Sequence, residues 1–377
     1  MTPAPTIRDV RVSLIEAPLA KPIVVPIGTL TVRRNLVVTV ELDDGGLGFG
    51  EIWANFPPWG CQDRVEIVRR IIRPALRGEV LDDPARLYDR LAAAMRPLAN
   101  QWGAQGPFHQ ALAGVDIALW DARARWLGKA LCDVIAHAVA PRSVAVYATN
   151  LPIGEPETIR DVVRAGHTRF KVRLPQDRKI ATEGLRAWRA AAGEHALMAD
   201  ATQGYTLERL RPILPDLVEA RLTWLEEPFA VDDTAAYRGW KDVAGRPPTA
   251  MGENSYGLDG FDQLVADCDP DIVQPDITKT GGITRGRLIC ERMLAAGKPV
   301  CLHMYGGPVG LYASAHLMAA LSGAMWLEME ATPNPIFARL LNAAPVVDGG
   351  ALELPDAPGI GVPLDVGAIR AGDVTDP

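Results

Sequence analysis

The chain predicts an α/β protein, a barrel of parallel strands behind a smaller α+β domain. Seven charged residues carry the barrel: Lys171, Asp200, Glu226, Glu253, Asp276, His303 and Glu328 each close a short apolar run. Their spacing, 23 to 29 residues, is one strand-plus-helix unit, given about 250 residues for eight units. The first third of the chain lacks this rhythm and reads as an antiparallel meander followed by helices. Boundaries are expected at residues 1–128 for a capping domain, 129–344 for the barrel and 345–377 for a tail that packs back on the cap.

In the cap, Ile7, Val10, Val12 and Leu14 alternate as a first strand. Pro18, Pro22 and Pro26 then argue for a loop, because proline donates no ladder hydrogen bond. Arg34–Leu42 reads as a second strand, and the Asp43–Gly46 turn leads into a third, Leu47–Trp53. Trp53–Gly60 is a loop rich in proline and aromatic residues. Val65, Val68, Ile72 and Leu76 share a helical face ended by Gly78. Asp83 before Pro84 is a helix start, and a further helix over Phe108–Leu127 stops at Gly128.

In the barrel, Arg169–Val172, Ala196–Asp200, Thr223–Glu226, Ala250–Glu253, Asp271–Asp276, Pro299–His303 and Met325–Glu328 read as buried strands, and the rhythm starts at Val144. A parallel barrel carries its active site at the carboxyl ends of its strands. The charged residues are therefore site candidates.

Bulk properties narrow the classes. The formal net charge of -7 argues against nucleic acid. Cys61, Cys132, Cys268, Cys290 and Cys301 are scattered and form no Cys-x-x-Cys pair, as expected of reduced thiols in a cytoplasmic protein. The start lacks a charged head before an apolar stretch, so no signal peptide is expected, and no apolar run approaches the ~20 residues a membrane span needs.

Asp200, Glu226 and Glu253 end three successive strands. Three carboxylates without His or Cys make a hard-oxygen set that favours Mg²⁺. Asp276 and His303 end the next two strands, where an aspartate orients an imidazole and raises its basicity. His109, His137, His167, His195 and His316 fall in helices or loops and are expected at the surface or in packing. Glu328 faces the metal across the mouth, where a carboxyl kept protonated donates to a substrate oxygen; taken alone it reads equally as a salt-bridge partner. Lys171 and Arg173 share a strand face and point inward. Lys171 offsets carboxylate charge or acts as an acid; Arg173 is a poor base because it stays protonated.

These residues, in the segments Phe170–Arg173, Met198–Asp200, Trp224–Pro228, Met251–Asn254, Gln274–Gly282, Cys301–His303 and Trp326–Glu328, resemble the mandelate racemase subgroup of the enolase superfamily. The resemblance spans nearly the whole chain. It implies a (β/α)7β barrel, a modified TIM barrel, under an α+β cap with mobile loops at 18–32 and 53–60. It implies that Asp200, Glu226 and Glu253 bind Mg²⁺, His303 is the base or acid, Asp276 orients it and Glu328 hydrogen-bonds the enolate oxygen. A lysine at position 276 would mark the muconate lactonizing group instead.

Two positions depart from the subgroup: Arg173 replaces the second lysine of its racemases, and Thr202 stands where an asparagine is frequent. The implied reaction is dehydration of a sugar acid or related 2,3-dihydroxy carboxylate to a 2-keto-3-deoxy acid. The alternatives are a racemase or epimerase of a 2-hydroxy acid, a cycloisomerase of a related lactone, and a barrel that binds without catalysing. Lys21, Trp53, Asn55, Thr202 and Asn254 are the candidate substrate contacts. Only Arg33 and Arg34 lie near the cap loops to pair a second carboxylate, which favours a mono-acid. The expected partners are a small carboxylate and further copies of the chain.

Overall fold

A computed structural model describes residues 3–25, 28–57, 59–151 and 155–374. The cap sheet runs β1 (Ile7–Val25), β2 (Gly28–Leu42) and β3 (Leu47–Ile52), antiparallel and in that order. The stretch expected to be a loop over the prolines is instead a strand: β1 pairs with β2 from Ile7↔Leu42 out to Val25↔Gly28. The prolines are tolerated because β1 is the sheet edge and its register breaks between Pro18 and Ile23, around Pro22, where no ladder N–H is needed. Pro26 and Ile27 of the first loop and Pro58 of the second lie outside the described residues.

Helices cover the sheet. Cys61–Ile67, the π turn Val68–Ile72 and Arg73–Leu76 follow one another, then Pro84–Trp102 and Gln105–Trp126. Asp83 caps its helix by accepting from Ala85 N at 3.0 Å. β3 lies directly against Gln105–Trp126: a side chain at Gly50 would meet Ala118 N at 2.7 Å, so only glycine permits the approach.

The barrel strands are β4 (Ser143–Leu151), β5 (Arg169–Arg173), β6 (Ala196–Asp200), β7 (Leu225–Glu226), β8 (Thr249–Met251) and β9 (Ile272–Val273). The segment 300–302 is held by single bridges, Val273↔Val300 and Leu302↔Leu327. β10 (Leu327–Glu330) pairs in parallel with β4 and closes the barrel. Helices such as Arg178–Ala192, Gly257–Cys268 and Pro308–Ala320 connect the strands. The fold is thus a (β/α)7β barrel with an α+β cap.

Tyr147, Met198, Trp224, Ala250, Ile272 and Cys301 fill the barrel interior as an apolar layer. Alternation along each strand then sets Asp200 above Met198, Glu226 above Trp224 and His303 above Cys301. The charged layer is therefore the next inward layer at the mouth.

The tail begins with β11 (Val347–Asp348) and β12 (Ala351–Glu353), and β12 pairs antiparallel with β4. It ends against β1, where Val374 N donates to Val12 O at 3.0 Å. Among the described residues no helix is long and apolar enough to cross a membrane.

His316 ties the short helix Leu131–Ile135 and the tail to the barrel. It is fully buried; Cys132 N donates to its Nδ1 and its Nε2 donates to Ile360 O, both at 3.2 Å. Only the neutral ring makes both bonds, and burial pushes its pKa down to about 4. The folded value lies below the unfolded 6.5, so this stability is whole above pH 6.5 and is lost as pH falls towards 4. Urea unfolding should show the protein losing about 3 kcal/mol more than His316→Gln across that window. Equal losses in both proteins would show that His316 does not titrate on unfolding.

Candidate active site

Lys171 is buried at the centre of the mouth, its Nζ 2.5 Å from Glu226 Oε1 and 2.8 Å from Glu328 Oε1. Glu226 Oε2 accepts from Gln274 Nε2 at 2.7 Å and from Trp224 Nε1 at 3.4 Å. Glu328 Oε2 accepts from Tyr147 OH at 3.2 Å and Met304 N at 3.4 Å. Burial opposes the Lys171 charge, but Glu226, Glu328 and Asp200 together raise its pKa above the ordinary lysine value.

His303 Nδ1 lies 2.8 Å from Asp276 Oδ2. Asp276 is held in turn by Thr278, whose N and Oγ1 donate to Oδ1 at 2.8 and 2.6 Å. His303 Nε2 faces Glu253 Oε2 at 2.7 Å and Glu328 Oε2 at 3.6 Å. Burial disfavours the imidazolium, but Glu253, Glu328 and Asp276 hold its pKa well above the ordinary value. Glu253 is correspondingly held well below the usual carboxylate range; burial raises it, but the charges of His303 and Lys279 prevail.

Of the two readings of Glu328, the geometry favours the salt-bridge partner. Burial alone would favour its protonated form, but Lys171 and His303 keep its pKa below the usual value. It is therefore a carboxylate that anchors Lys171, not a neutral donor.

On the far side, Arg173 Nη1 donates to Thr202 Oγ1 at 2.7 Å and stands 3.8 Å from Asp200 Oδ2. Thr202 N and Oγ1 donate to Asp200 Oδ1 at 2.6 and 3.0 Å. Asn254 Nδ2 donates to Glu227 Oε2 at 3.0 Å and Glu253 Oε1 at 3.1 Å. Asn55 is buried and donates to Tyr305 O at 2.6 Å. The Trp53 ring lies 4.5 Å from Lys279 Nζ, and its buried Nε1 has no protein partner.

Lys21 is 88% exposed, 3.9 Å from Glu155. With Ile23, Asn150, Arg173 and Thr332 it lines a cavity of about 520 Å³ between the β1 hairpin and the mouth. Neither cap arginine is free: Arg33 is buried and bonded to Glu330 and Asn55, and Arg34 Nε lies 2.7 Å from Glu16 Oε1.

Two charged residues escaped sequence reasoning. Glu227 is buried beside Glu226 and accepts from Gln203 Nε2 at 2.9 Å. Lys279 is buried, donates to Asn254 Oδ1 at 2.8 Å and lies 3.5 Å from Glu253 Oε1. Each stands within three residues of a strand-end charge, which is the signal that marks them.

Asp200 and Glu226 end successive strands and Glu253 lies two residues beyond β8, but among the described residues no group of three or more His, Cys, Asp or Glu side chains forms a cluster able to hold a metal ion. Each carboxylate is turned to a nearer donor: Thr202, Lys171 and His303. The charge balance nevertheless fits a divalent cation. Among the described residues, Asp200, Glu226, Glu227, Glu253, Asp276 and Glu328 confront Lys171, Arg173, Lys279 and His303, two fewer charges than they carry. Burial pushes Glu226 up to about 7 and Glu227 up to about 8, with other carboxylates adding to the shift and lysines opposing it. Such crowded oxygen donors suit a hard cation of the Mg²⁺ kind.

Comparisons with known proteins agree with this architecture. A family model described as "Mandelate racemase / muconate lactonizing enzyme, N-terminal domain" matches residues 7–136, and one described as "Enolase C-terminal domain-like" matches residues 156–368. A mandelate racemase/muconate lactonizing enzyme from Bordetella bronchiseptica RB50 superposes with a TM-score of 0.85 at 32% identity, over 98% of this chain and 99% of that one. An alphaproteobacterial enolase (bal199) solved with bound magnesium superposes at 0.84 and 26% identity, over 98% and 100%. Arabinonate dehydratase of Saccharolobus solfataricus is 28% identical, over 88% of each chain. D-galactarolactone cycloisomerase of Agrobacterium fabrum is 26% identical, over 92% of this chain and 93% of its own.

Proposed function

Because the chain belongs to the mandelate racemase/muconate lactonizing enzyme family of the enolase superfamily, we propose that it is a Mg²⁺-dependent dehydratase of sugar acids. The observation that carries this reading is a single histidine–aspartate dyad at the mouth, opposite an arginine that cannot serve as a second base. Asp200, Glu226 and Glu253 are the residues that would hold the cation. Mg²⁺ bound there supplies charge that acidifies the proton beside a substrate carboxylate.

This chain's own residues do the rest. Lys171 presents a fixed ammonium towards the reacting carboxylate. Glu226 and Glu328 hold it in place, and Glu328 does so as an anion. Asp276 fixes the His303 ring through Nδ1; Nε2, which faces Glu253 Oε2 at 2.7 Å, would be released to the substrate as a base once Glu253 is engaged by the cation. Nε2 takes the C2 proton, and the C–H electron pair becomes the enediolate. The C3–O bond then breaks, and the proton on His303 leaves with the hydroxyl as water. The enol product tautomerises to a 2-keto-3-deoxy acid.

Elimination needs one base, whereas racemisation at C2 needs an acid on the opposite face. There Arg173 is bonded to Thr202, and Lys171 is committed to two carboxylates. Dehydration is therefore favoured over epimerisation.

With Arg33 and Arg34 both bonded to protein carboxylates, no arginine pair among the described residues stands ready for a second substrate carboxylate. In a screen with Mg²⁺ scored by semicarbazone absorbance, aldonates should yield 2-keto acids at least about 10-fold faster than the matching aldarates, about the value of one charge-assisted hydrogen bond. A preference for aldarates would overturn the mono-acid assignment.

A further inference from the structure

The glycines after His303, Gly306, Gly307 and Gly310, have no part in the chemistry above. Their reason lies in the cap. Glu51 on β3 crosses to the barrel and is 1% exposed. Its Oε1 accepts from Gly307 N at 2.6 Å and its Oε2 from Gly310 N at 2.8 Å. Asn35 on β2 donates to the same carboxylate. A side chain at Gly306 would collide with Glu51 Oε1, one at Gly307 would meet Asn35 Nδ2 at 2.6 Å, and one at Gly310 would come within 3.1 Å of Glu51 Cδ. The glycines make room for the carboxylate, and the N–H groups of Gly307 and Gly310, at the start of helix Pro308–Ala320, bind it.

We propose that Glu51 is a positioning residue: a cap carboxylate that fixes loop 304–310 and thereby the ring of His303. The inference rests on the reading that His303 takes the substrate proton. Three constraints meet in this short loop. Its first residue is bonded to the mouth, Met304 N donating to Glu328 Oε2 at 3.4 Å. Its next, Tyr305, stacks under the Arg33 guanidinium at 4.0 Å and accepts from Asn55, both cap residues. Its glycines close on Glu51. The same cap strand continues to Trp53, whose N donates to Thr278 O at 3.4 Å, and Thr278 holds Asp276. One register of the cap therefore grips both halves of the dyad, while the metal-ligand candidates sit on β6, β7 and the segment after β8, outside this grip.

The test is Glu51→Gln, which keeps the volume but turns an amide N–H₂ against one of the two glycine donors. The expected variant folds and binds Mg²⁺ with a Kd within about 3-fold of wild type. Hydrogen exchange by mass spectrometry should show the amides of 304–312 losing protection. For the acid sugar whose C2–H the wild type exchanges, kcat should fall 10- to 100-fold with KM changed less than about 3-fold, the loss expected when a reacting group is misplaced by about 1 Å.

Loosened amides with an unchanged kcat would overturn the proposal. So would kcat, KM and Mg²⁺ affinity failing together in a folded variant, which is the mark of a merely structural role. If Glu51→Gln does not fold, Asn35→Ala removes one donor to the carboxylate and is read the same way, with a 3- to 10-fold kcat loss expected. A wild type silent on every acid sugar would instead sink the dehydratase reading, not this one alone.

Discussion

His303→Asn is expected to abolish C2–H exchange, with kcat/KM at least about 10³-fold below wild type. The variant removes only the proton acceptor: asparagine can still donate to Asp276, which Thr278 holds independently. The ring is nearly buried, and no other histidine among the described residues lies at the mouth to replace it. The fold should persist, because Thr278 still holds Asp276, and Mg²⁺ affinity should be kept or raised, because the variant removes the His303 charge that faces the ligand candidate Glu253. Exchange surviving within 10-fold of wild type would remove His303 from the reaction.

Glu226→Gln should weaken Mg²⁺ binding by at least about 100-fold, read by calorimetric titration, and abolish turnover with it. A structured protein gains stability from a ligand that binds only the folded state, so wild type should melt higher as Mg²⁺ is added and the variant should not. The fold should survive, because Lys171 keeps Glu328 as its partner. The variant also relieves a crowded buried anion whose pKa burial has already pushed up to about 7. An unchanged Mg²⁺ affinity would place the metal elsewhere.

The barrel was legible because its pattern is local. Each strand is a short apolar run, and each ends in a charge that the carboxyl-end rule sends to one place, so Lys171, Asp200, Glu226, Asp276 and His303 could be named from spacing. The seventh strand was legible only as a run: it is held by isolated bridges at Val300 and Leu302. The β1 hairpin was misread because its prolines argue against a strand interior but not against an edge with a register break.

What stayed hidden depends on distant partners. Glu51 meets Gly307 across 256 residues, a pairing that no local pattern announces. The sequence left Glu328 open between a protonated donor and a salt-bridge partner, and burial alone favours the first. The lysine 2.8 Å away, supplied by β5, reverses the direction. Lys279 and Glu227 sit beside recognised site residues but off the strand-end positions, so counting strand ends passes over them.

On the proposed mechanism, His303 removes the proton at C2 of a sugar acid and water then leaves from C3. Proton NMR in D₂O tests it most directly, with the protein, Mg²⁺ and a library of aldonates and other 2-hydroxy acids. Loss of the C2–H signal and appearance of a 2-keto-3-deoxy acid are expected for at least one mono-acid, both absent in His303→Asn. Deuterium at C2 with inverted configuration and no loss of water would contradict it, and would make the protein a racemase or epimerase.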